Sequence, residues 1–380
     1  MILGSAPPMP CGVGDNSMIL ARHLAIRGHE VEIITSSGAQ KNDSIPNVRI
    51  HPVMKGWSAF DARILLNRIM EIEPDIIHLQ YPSKGYGKGF APGLIGMKLK
   101  ARRSKAPFIV TLHEFAFAHT LRKIAVATLL SEASAMIIPS IQERDALFRR
   151  FRSLKKIPSH IIPIGAVLPD DFVKLKEKLK REGGELIEKW QVPQDGIIVN
   201  YGFIQYHKGI ETILKALRML RSDGFQCQFW HVGDFNPGAS KYHRFLEYLS
   251  KEDGLIGGVK FLGYLPFETA SEIFTIARVG VFPFTDGYSD RRSSMITFSQ
   301  FDVPLITTKS SVPEVDDKIK PFVTLIERHD AKQLKSVLEE IIANDAIYNR
   351  EVDRASGFKS LYDWDMIAER TEMVYREYLR

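Results

Sequence analysis

The chain has 380 residues, 44% of them hydrophobic and 25% charged, with a formal net charge of +6 and only two cysteines, Cys11 and Cys227. That length predicts about two domains rather than one core, and the composition excludes a disordered chain. The cysteine count excludes a disulfide framework or a zinc cluster. No stretch approaches the ~18 apolar residues of a membrane span. The opening MILGSAPPMP lacks the basic and apolar regions of a signal peptide. A cytoplasmic protein is expected.

In chain order, short Ile- and Val-rich runs alternate with helical spacing. VEIIT (31–35), DIIHLQY (75–81), PFIVTLH (107–113) and AMIIPS (135–140) read as buried parallel strands. DNSMILARHLAIRG and FDARILLNRIMEIEPD read as the helices between them, the first stopped by Gly28 and the second by Pro74. A polar, charged segment, 174–196, follows a junction placed at Ala166–Asp171. A second alternation then runs through 196–203, 226–234, 259–265, 279–284 and 303–308, with helices in GIETILKALRMLRSDG and DAKQLKSVLEEIIAND. Strand–helix alternation predicts an α/β fold of two Rossmann-like, doubly wound domains. Their boundaries are 1–168 and 169–361, and an amphipathic helix in 362–380 packs back on the first domain. Two such domains in tandem would face a cleft, with ligands at the carboxyl ends of the strands.

Charge is unevenly placed. From Lys98 to Lys156 there are 13 Lys/Arg against 4 Asp/Glu, a local +9, so the remainder carries −3. The segments 98–105 and 149–156 hold most of it. They are either solvated helix faces or a surface for an anionic membrane or acceptor. Nucleic acid is not expected, because aromatic residues are not interleaved with the charges.

The loops at strand ends carry the candidate chemistry. Gly12 and Gly14 would let a ligand approach the backbone where the first helix opens. His113 and Glu114 stand just past a strand end, whereas His78 lies inside a strand and reads as core. Lys208 precedes a helix start, where the dipole favours a carboxylate. That conflict points to an anionic ligand. In FTDGYSDRRSSM (284–295), Arg291 and Arg292 offer planar donor forks suited to phosphate, and Ser293 and Ser294 add hydroxyls. The competing reading pairs the arginines with Asp286 or Asp290. No D-x-D sequence and no ligand-spaced His/Cys cluster is present, so no metal is expected.

These stretches together resemble glycosyltransferase family 4, the retaining GT-B enzymes. The likeness runs nearly end to end, through GVGDNSMILARHLAIRGHEVEIIT, PDIIHLQYP, VTLHEF, IIPIG, YGFIQYHKGIETILKAL, HVGD, VKFLGYLPFETASEIFTIARVGVFPF, VPLITT and YDWDMIAERTEMVY. It implies sugar transfer from a nucleoside-diphosphate sugar, a UDP-sugar in preference to a GDP-sugar, without a metal or other cofactor. The acceptor would be a carbohydrate or a lipid-linked molecule in cell-envelope glycan, glycolipid or polysaccharide synthesis, with the enzyme peripheral at the inner membrane face.

By the resemblance, Gly12 and Gly14 line the donor phosphate and acceptor region, with Asp15 and Glu114 on the acceptor. His113 stands near the donor sugar, Lys208 neutralises the diphosphate, and Tyr264 and Leu265 lie against the base. Phe203 occupies a position where many members have arginine. Ser289 and Thr297 stand where many have two glutamates. Arg291 and Arg292, the latter catalytic beside His113 and Lys208, would supply the missing charge, and Asp286, counted as donor-binding, or Asp290 would substitute for the second glutamate. Same-fold rivals are an epimerase or a phosphorylase. Rivals of other classes are a non-catalytic nucleotide-sugar-binding or membrane-binding subunit.

Overall fold

Each apolar run becomes a strand, and every strand pair in the protein is parallel. The computed structural model describes residues 1–9, 11–40, 45–115 and 120–379. It divides into two units, Met1–Val167 with Tyr362–Arg380, and Leu168–Leu361.

In unit 1, β1 (Val31–Ser36) pairs with β2 (Val48–Met54), and β3 (Ile77–Tyr81), β4 (Phe108–Leu112), β5 (Ala135–Ile138) and β6 (Ser159–Ile161) follow side by side. The chain start joins the two sets, because Ile2 bridges Ile34 on one side and Leu79 on the other. The order β2, β1, chain start, β3, β4, β5, β6 reverses direction between the chain start and β3. Crossover helices are α1 (Gly12–Ile26), α2 (Ala62–Ile72), α3 (Ala91–Ala101), α4 (Thr120–Ser131) and α5 (Ile141–Arg150). Strands β3, β4 and β5 are buried along their whole length, as expected with helices on both faces. Strand β2, absent from the sequence reading, alternates in burial and contains Pro52, a residue tolerated at a sheet edge.

The last helix, Trp364–Tyr378, packs on α1. Trp364 Nε1 donates to the Ala166 carbonyl at 2.7 Å, and Arg27 pairs with Glu372 at 2.7 Å. Unit 1 is therefore built from both ends of the chain.

In unit 2 the polar segment after the junction folds into α6 (Phe172–Arg181) and α7 (Gly183–Trp190), with Phe172, Leu179 and Leu186 buried. Six strands follow: β7 (Ile197–Tyr201), β8 (Gln228–Val232), β9 (Val259–Phe261), β10 (Val279–Phe282), β11 (Leu305–Thr308) and β12 (Thr324–Ile326). Their order is β12-β11-β10-β7-β8-β9, so the winding reverses between β7 and β10. The helices are α8 (Ile210–Ser222), α9 (Lys241–Ser250), α10 (Phe267–Thr275), α11 (Ser293–Phe298), α12 (Pro313–Ile319), α13 (Ala331–Ala343) and α14 (Asp345–Phe358). Both units are thus doubly wound α/β domains.

The return of the last helix depends on a glycine. A Cβ at Gly165 would stand 2.4 Å from the Trp364 ring. Gly165→Ala should destabilise the protein by about 1–3 kcal/mol through overpacking, read as a lower denaturant midpoint at unchanged slope.

Candidate functional site

Where a doubly wound sheet reverses, the loops leaving the two neighbouring strands part and open a crevice at their carboxyl ends. In unit 2 these loops follow Tyr201 and Phe282. They are pressed together backbone to backbone: the Thr285 amide donates to the His207 carbonyl at 3.0 Å. Gly209 has φ +63, and a Cβ there would lie 2.1 Å from the Pro283 carbonyl oxygen, so this loop crossing requires glycine.

The packing carries Lys208 inward until it is only 7% exposed. Its ammonium donates to Ser294 Oγ at 2.6 Å and to the Tyr201 carbonyl at 3.4 Å, and lies 5.4 Å from the centre of the Phe284 ring. Among the described residues no carboxylate pairs with it. Burial first, and the Arg292 cation second, lower its pKa from 10.5 to about 7.

Arg292 is 5% exposed and covers the other part of the same ring at 4.2 Å. Its Nη2 donates to Asp286 Oδ1 and to the Gly287 carbonyl, the latter at 3.1 Å, while its Nε has no partner among the described residues. For Arg292 this is the pairing with Asp286 that the sequence offered as the competing reading. A buried guanidinium requires a counter-ion, and Asp286 supplies it, so Asp286 is engaged with the protein itself. Burial lowers the Arg292 pKa to about 10. Arg291 is half-buried, Ser293 and Ser294 open α11, and Asp290 is held by Lys318 at 2.7 Å.

The remaining predicted donor positions divide by exposure. Phe203, after β7, and Tyr264, after β9, are exposed, and Leu265 is half-buried. Ser289 and Thr297 are both buried, Ser289 with a hydroxyl that meets no partner among the described residues.

In unit 1 the corresponding edge gathers Gly12, Gly14, Asp15, His113 and Glu114. A Cβ at Gly14 would stand 2.5 Å from the Ser5 carbonyl oxygen. Burial raises the Asp15 pKa, and Glu114 is half-buried. His113 follows β4 directly, its amide donating to the Tyr81 carbonyl at 2.7 Å. Packing around the ring lowers its pKa to about 4, so the imidazole is neutral at physiological pH.

His113 Nε2 lies 2.8 Å from Gln80 Oε1, which can only accept, so Nε2 carries the proton and Nδ1 is left as an acceptor. Gln80 Nε2 lies 3.1 Å from His78 Nε2, which also meets Thr111 Oγ1 at 2.7 Å, and His78 Nδ1 lies 2.6 Å from the Tyr375 hydroxyl. Burial lowers the His78 pKa to about 3. A buried chain of hydrogen bonds thus runs from the last helix to His113. Sequence reasoning missed Gln80 and Tyr375. A glutamine inside a strand buried along its whole length is the available signal for Gln80.

The basic segments 98–105 and 149–156 lie where chain enters β4 and β6, at the amino edge of the sheet. They are therefore at the end opposite His113 and the α1 glycines. Among the described residues no group of three His, Cys, Asp or Glu is placed to hold a metal.

Two family models match the chain: Glycosyltransferase Family 4 over residues 12–168 and Glycosyl transferases group 1 over residues 195–344. With two doubly wound units, the matches define the class as a glycosyltransferase of the GT-B type. The two matches together give the chain the GT-B architecture of glycosyltransferase family 4.

Among solved structures it is similar to sucrose-phosphate synthase from Thermosynechococcus elongatus, with 21% identity and a TM-score of 0.72 over 96% of this chain and 93% of that one. It is also similar to Anabaena HepE in complex with UDP-glucose, at 15% and 0.69 over 98% of each chain. A third is WaaG, a glycosyltransferase involved in lipopolysaccharide biosynthesis, at 15% and 0.65 over 98% of each. At these identities the likeness carries the fold. No curated protein matches the chain.

Because Arg292 contributes to the depressed Lys208 pKa, Arg292→Gln should raise it above about 7. Titration of ¹³C-labelled lysine by NMR checks this.

Proposed function

We propose that the protein transfers a sugar from a nucleoside-diphosphate sugar to an acceptor hydroxyl with retention of configuration, a UDP-sugar serving better than a GDP-sugar. The observation that carries this reading is the buried Lys208 ammonium, which faces Arg292 and has no carboxylate of its own among the described residues. A diphosphate would supply the missing negative charge and accept from Lys208, from the free Nε of Arg292 and from the hydroxyls of Ser293 and Ser294. Charge-assisted bonds of this kind contribute roughly 1.5–3 kcal/mol each. HepE, which holds UDP-glucose in its structure, supports the uridine choice.

In this reading unit 2 holds the donor through those groups together with Phe203, Tyr264, Leu265 and Arg291. Unit 1 receives the acceptor through Asp15 and Glu114, and His113 serves the donor sugar as a neutral imidazole. The bond between the anomeric carbon and the β-phosphate oxygen breaks, and the acceptor oxygen bonds to that carbon on the same face. The departing β-phosphate takes the acceptor's proton. Lys208 and Arg292 hold the charge that builds on the leaving group, and losing one such preorganised donor typically lowers kcat by about 10²–10³-fold.

The cations are side chains, so the reaction needs no divalent ion, and transfer in EDTA should equal transfer in magnesium. The setting is the synthesis of cell-envelope glycan, glycolipid or polysaccharide, in the cytoplasm or at the inner membrane face. No described helix is long and apolar enough to cross a membrane.

A second reading is nucleotide-sugar binding without transfer. Ser289 and Thr297, lacking the carboxylates many relatives have there, favour it. Donor binding with no turnover over a broad acceptor panel would establish it.

Three outcomes follow. In a thermal-shift panel of UDP, GDP, ADP and their sugars, uridine compounds should raise Tm most, since a ligand of the native state alone stabilises it. Lys208→Met should abolish that shift while making the unliganded protein more stable at pH 7, by about 1–3 kcal/mol. If Lys208→Met retained wild-type UDP binding, the diphosphate assignment would be wrong.

The sign of the pH effect is fixed. The folded-state pKa of Lys208 lies below its unfolded value, so its cost is full below pH 7 and is relieved as pH rises from 7 toward 10.5. UDP binding to the protonated amine does the reverse, weakening by up to about tenfold per pH unit above 7. Calorimetry in two buffers of different ionisation enthalpy should show proton uptake on binding.

A further inference from the structure

The starts of α2 and α3 are tied together at the carboxyl edge of unit 1. The Ala91 amide donates to the Trp57 carbonyl at 2.9 Å, and the Trp57 and Tyr86 rings meet edge to face at 4.6 Å. A Cβ at Gly89 would lie 2.2 Å from the Trp57 carbonyl oxygen, so the two loops touch with no side chain between them. Asp61 Oδ2 accepts from the Ser58 amide and hydroxyl, each at 2.7 Å, which closes the turn before α2.

This braced platform turns two phenylalanines outward. Phe60 is 92% exposed and Phe90 is 66% exposed. Ile64, one turn beyond Phe60 on α2, and Met97, two turns beyond Phe90 on α3, are exposed as well. Helices α2 and α3 pack against each other, and each carries one of these exposed apolar side chains beyond its phenylalanine. A soluble protein leaves large apolar groups exposed together where something covers them.

The charges around this face say what covers it. Residues 55–63 and 84–97 contain Lys55, Arg63, Lys84 and Lys88 against a single acid, Asp61, a net +3. Lys55, Arg63, Lys84 and Lys88 are exposed and form no ion pair among the described residues. Aromatic and aliphatic groups ringed by unpaired cations suit the headgroup boundary of an anionic bilayer. There apolar burial and charge attraction add.

We propose that unit 1 docks on anionic phospholipid membrane through Phe60, Ile64, Phe90 and Met97, with Lys84 and Lys88 on the headgroups. The acceptor is then a lipid-linked molecule presented at that surface. The docking face lies at the same edge of the sheet as His113 and the α1 glycines. The more basic segments 98–105 and 149–156, at the other edge, are not the docking surface. This rests on the reading of unit 1 as the acceptor side.

The test is flotation of the purified full chain with vesicles of phosphatidylcholine alone or with phosphatidylglycerol added. Wild type should float with the mixed vesicles and stay behind with the neutral ones. Phe60→Ser with Phe90→Ser should lower the bound fraction about tenfold or more, and Lys84→Glu with Lys88→Glu about fivefold or more per charge. Arg102→Glu with Arg103→Glu should change it less than about twofold. Melting temperatures accompany each variant. If the serine pair unfolds, the exposed lysine pair carries the test.

Equal binding to both vesicle types, or no loss in the lysine pair, overturns the proposal. So does a loss confined to the Arg102 and Arg103 variant. A vesicle-free dimer that the serine pair converts to monomer would assign the face to a second copy instead and would also overturn it. A chain stabilised by UDP that ignores vesicles overturns this inference alone. One that floats but ignores every nucleotide overturns the transfer reading and leaves the membrane face standing.

Discussion

A buried cation without a counter-ion is the constraint on which unit 2 turns. Lys208 and Arg292 share one aromatic ring, and the carboxylate of Asp286 is paired with Arg292 alone. Evolution toward stability alone would place a second acid here or replace the lysine. Keeping the ammonium dry and half-titrated at neutral pH makes chemical sense where an anion arrives to complete it. The surrounding fold serves that arrangement: the winding reversal separates the two loops, Gly209 lets them cross, and Ser294 fixes the ammonium's direction.

Unit 1 is organised on the opposite electrostatic principle. Its edge histidine is neutral, its tautomer set by a chain of hydrogen bonds through Gln80 and His78. An imidazole held this way presents an acceptor nitrogen of defined direction and adds no charge. Unit 2 thus gathers two buried cations at its strand ends, whereas unit 1 holds a neutral imidazole at its own.

Much of this was legible in the sequence because apolar periodicity and turn residues act locally. The eight or so strongest strands and the helices beginning at Gly12 and Ile210 announce themselves by pattern. The edge strands β2 and β12 do not, since a half-buried strand with a proline or only three residues has no continuous apolar run. Lys208 stood out in the sequence through its clash with the helix dipole, but its burial did not. The Arg292–Asp286 pair shows the limit most clearly. The sequence offered both a ligand and a carboxylate within reach, and only packing decides that the guanidinium turns inward. Tyr375 was wholly invisible, 297 residues from the histidine it touches.

That last contact has a bearing on how the molecule is made. Because the second unit is contiguous and the first is interrupted, synthesis completes the sheet of unit 2 while unit 1 still lacks the helix that packs on α1. Until the segment bearing Tyr375 emerges, His78 Nδ1 lacks its hydroxyl partner, and the side of α1 that Trp364 covers stands open. Unit 2 is therefore able to fold before unit 1 holds all of its parts.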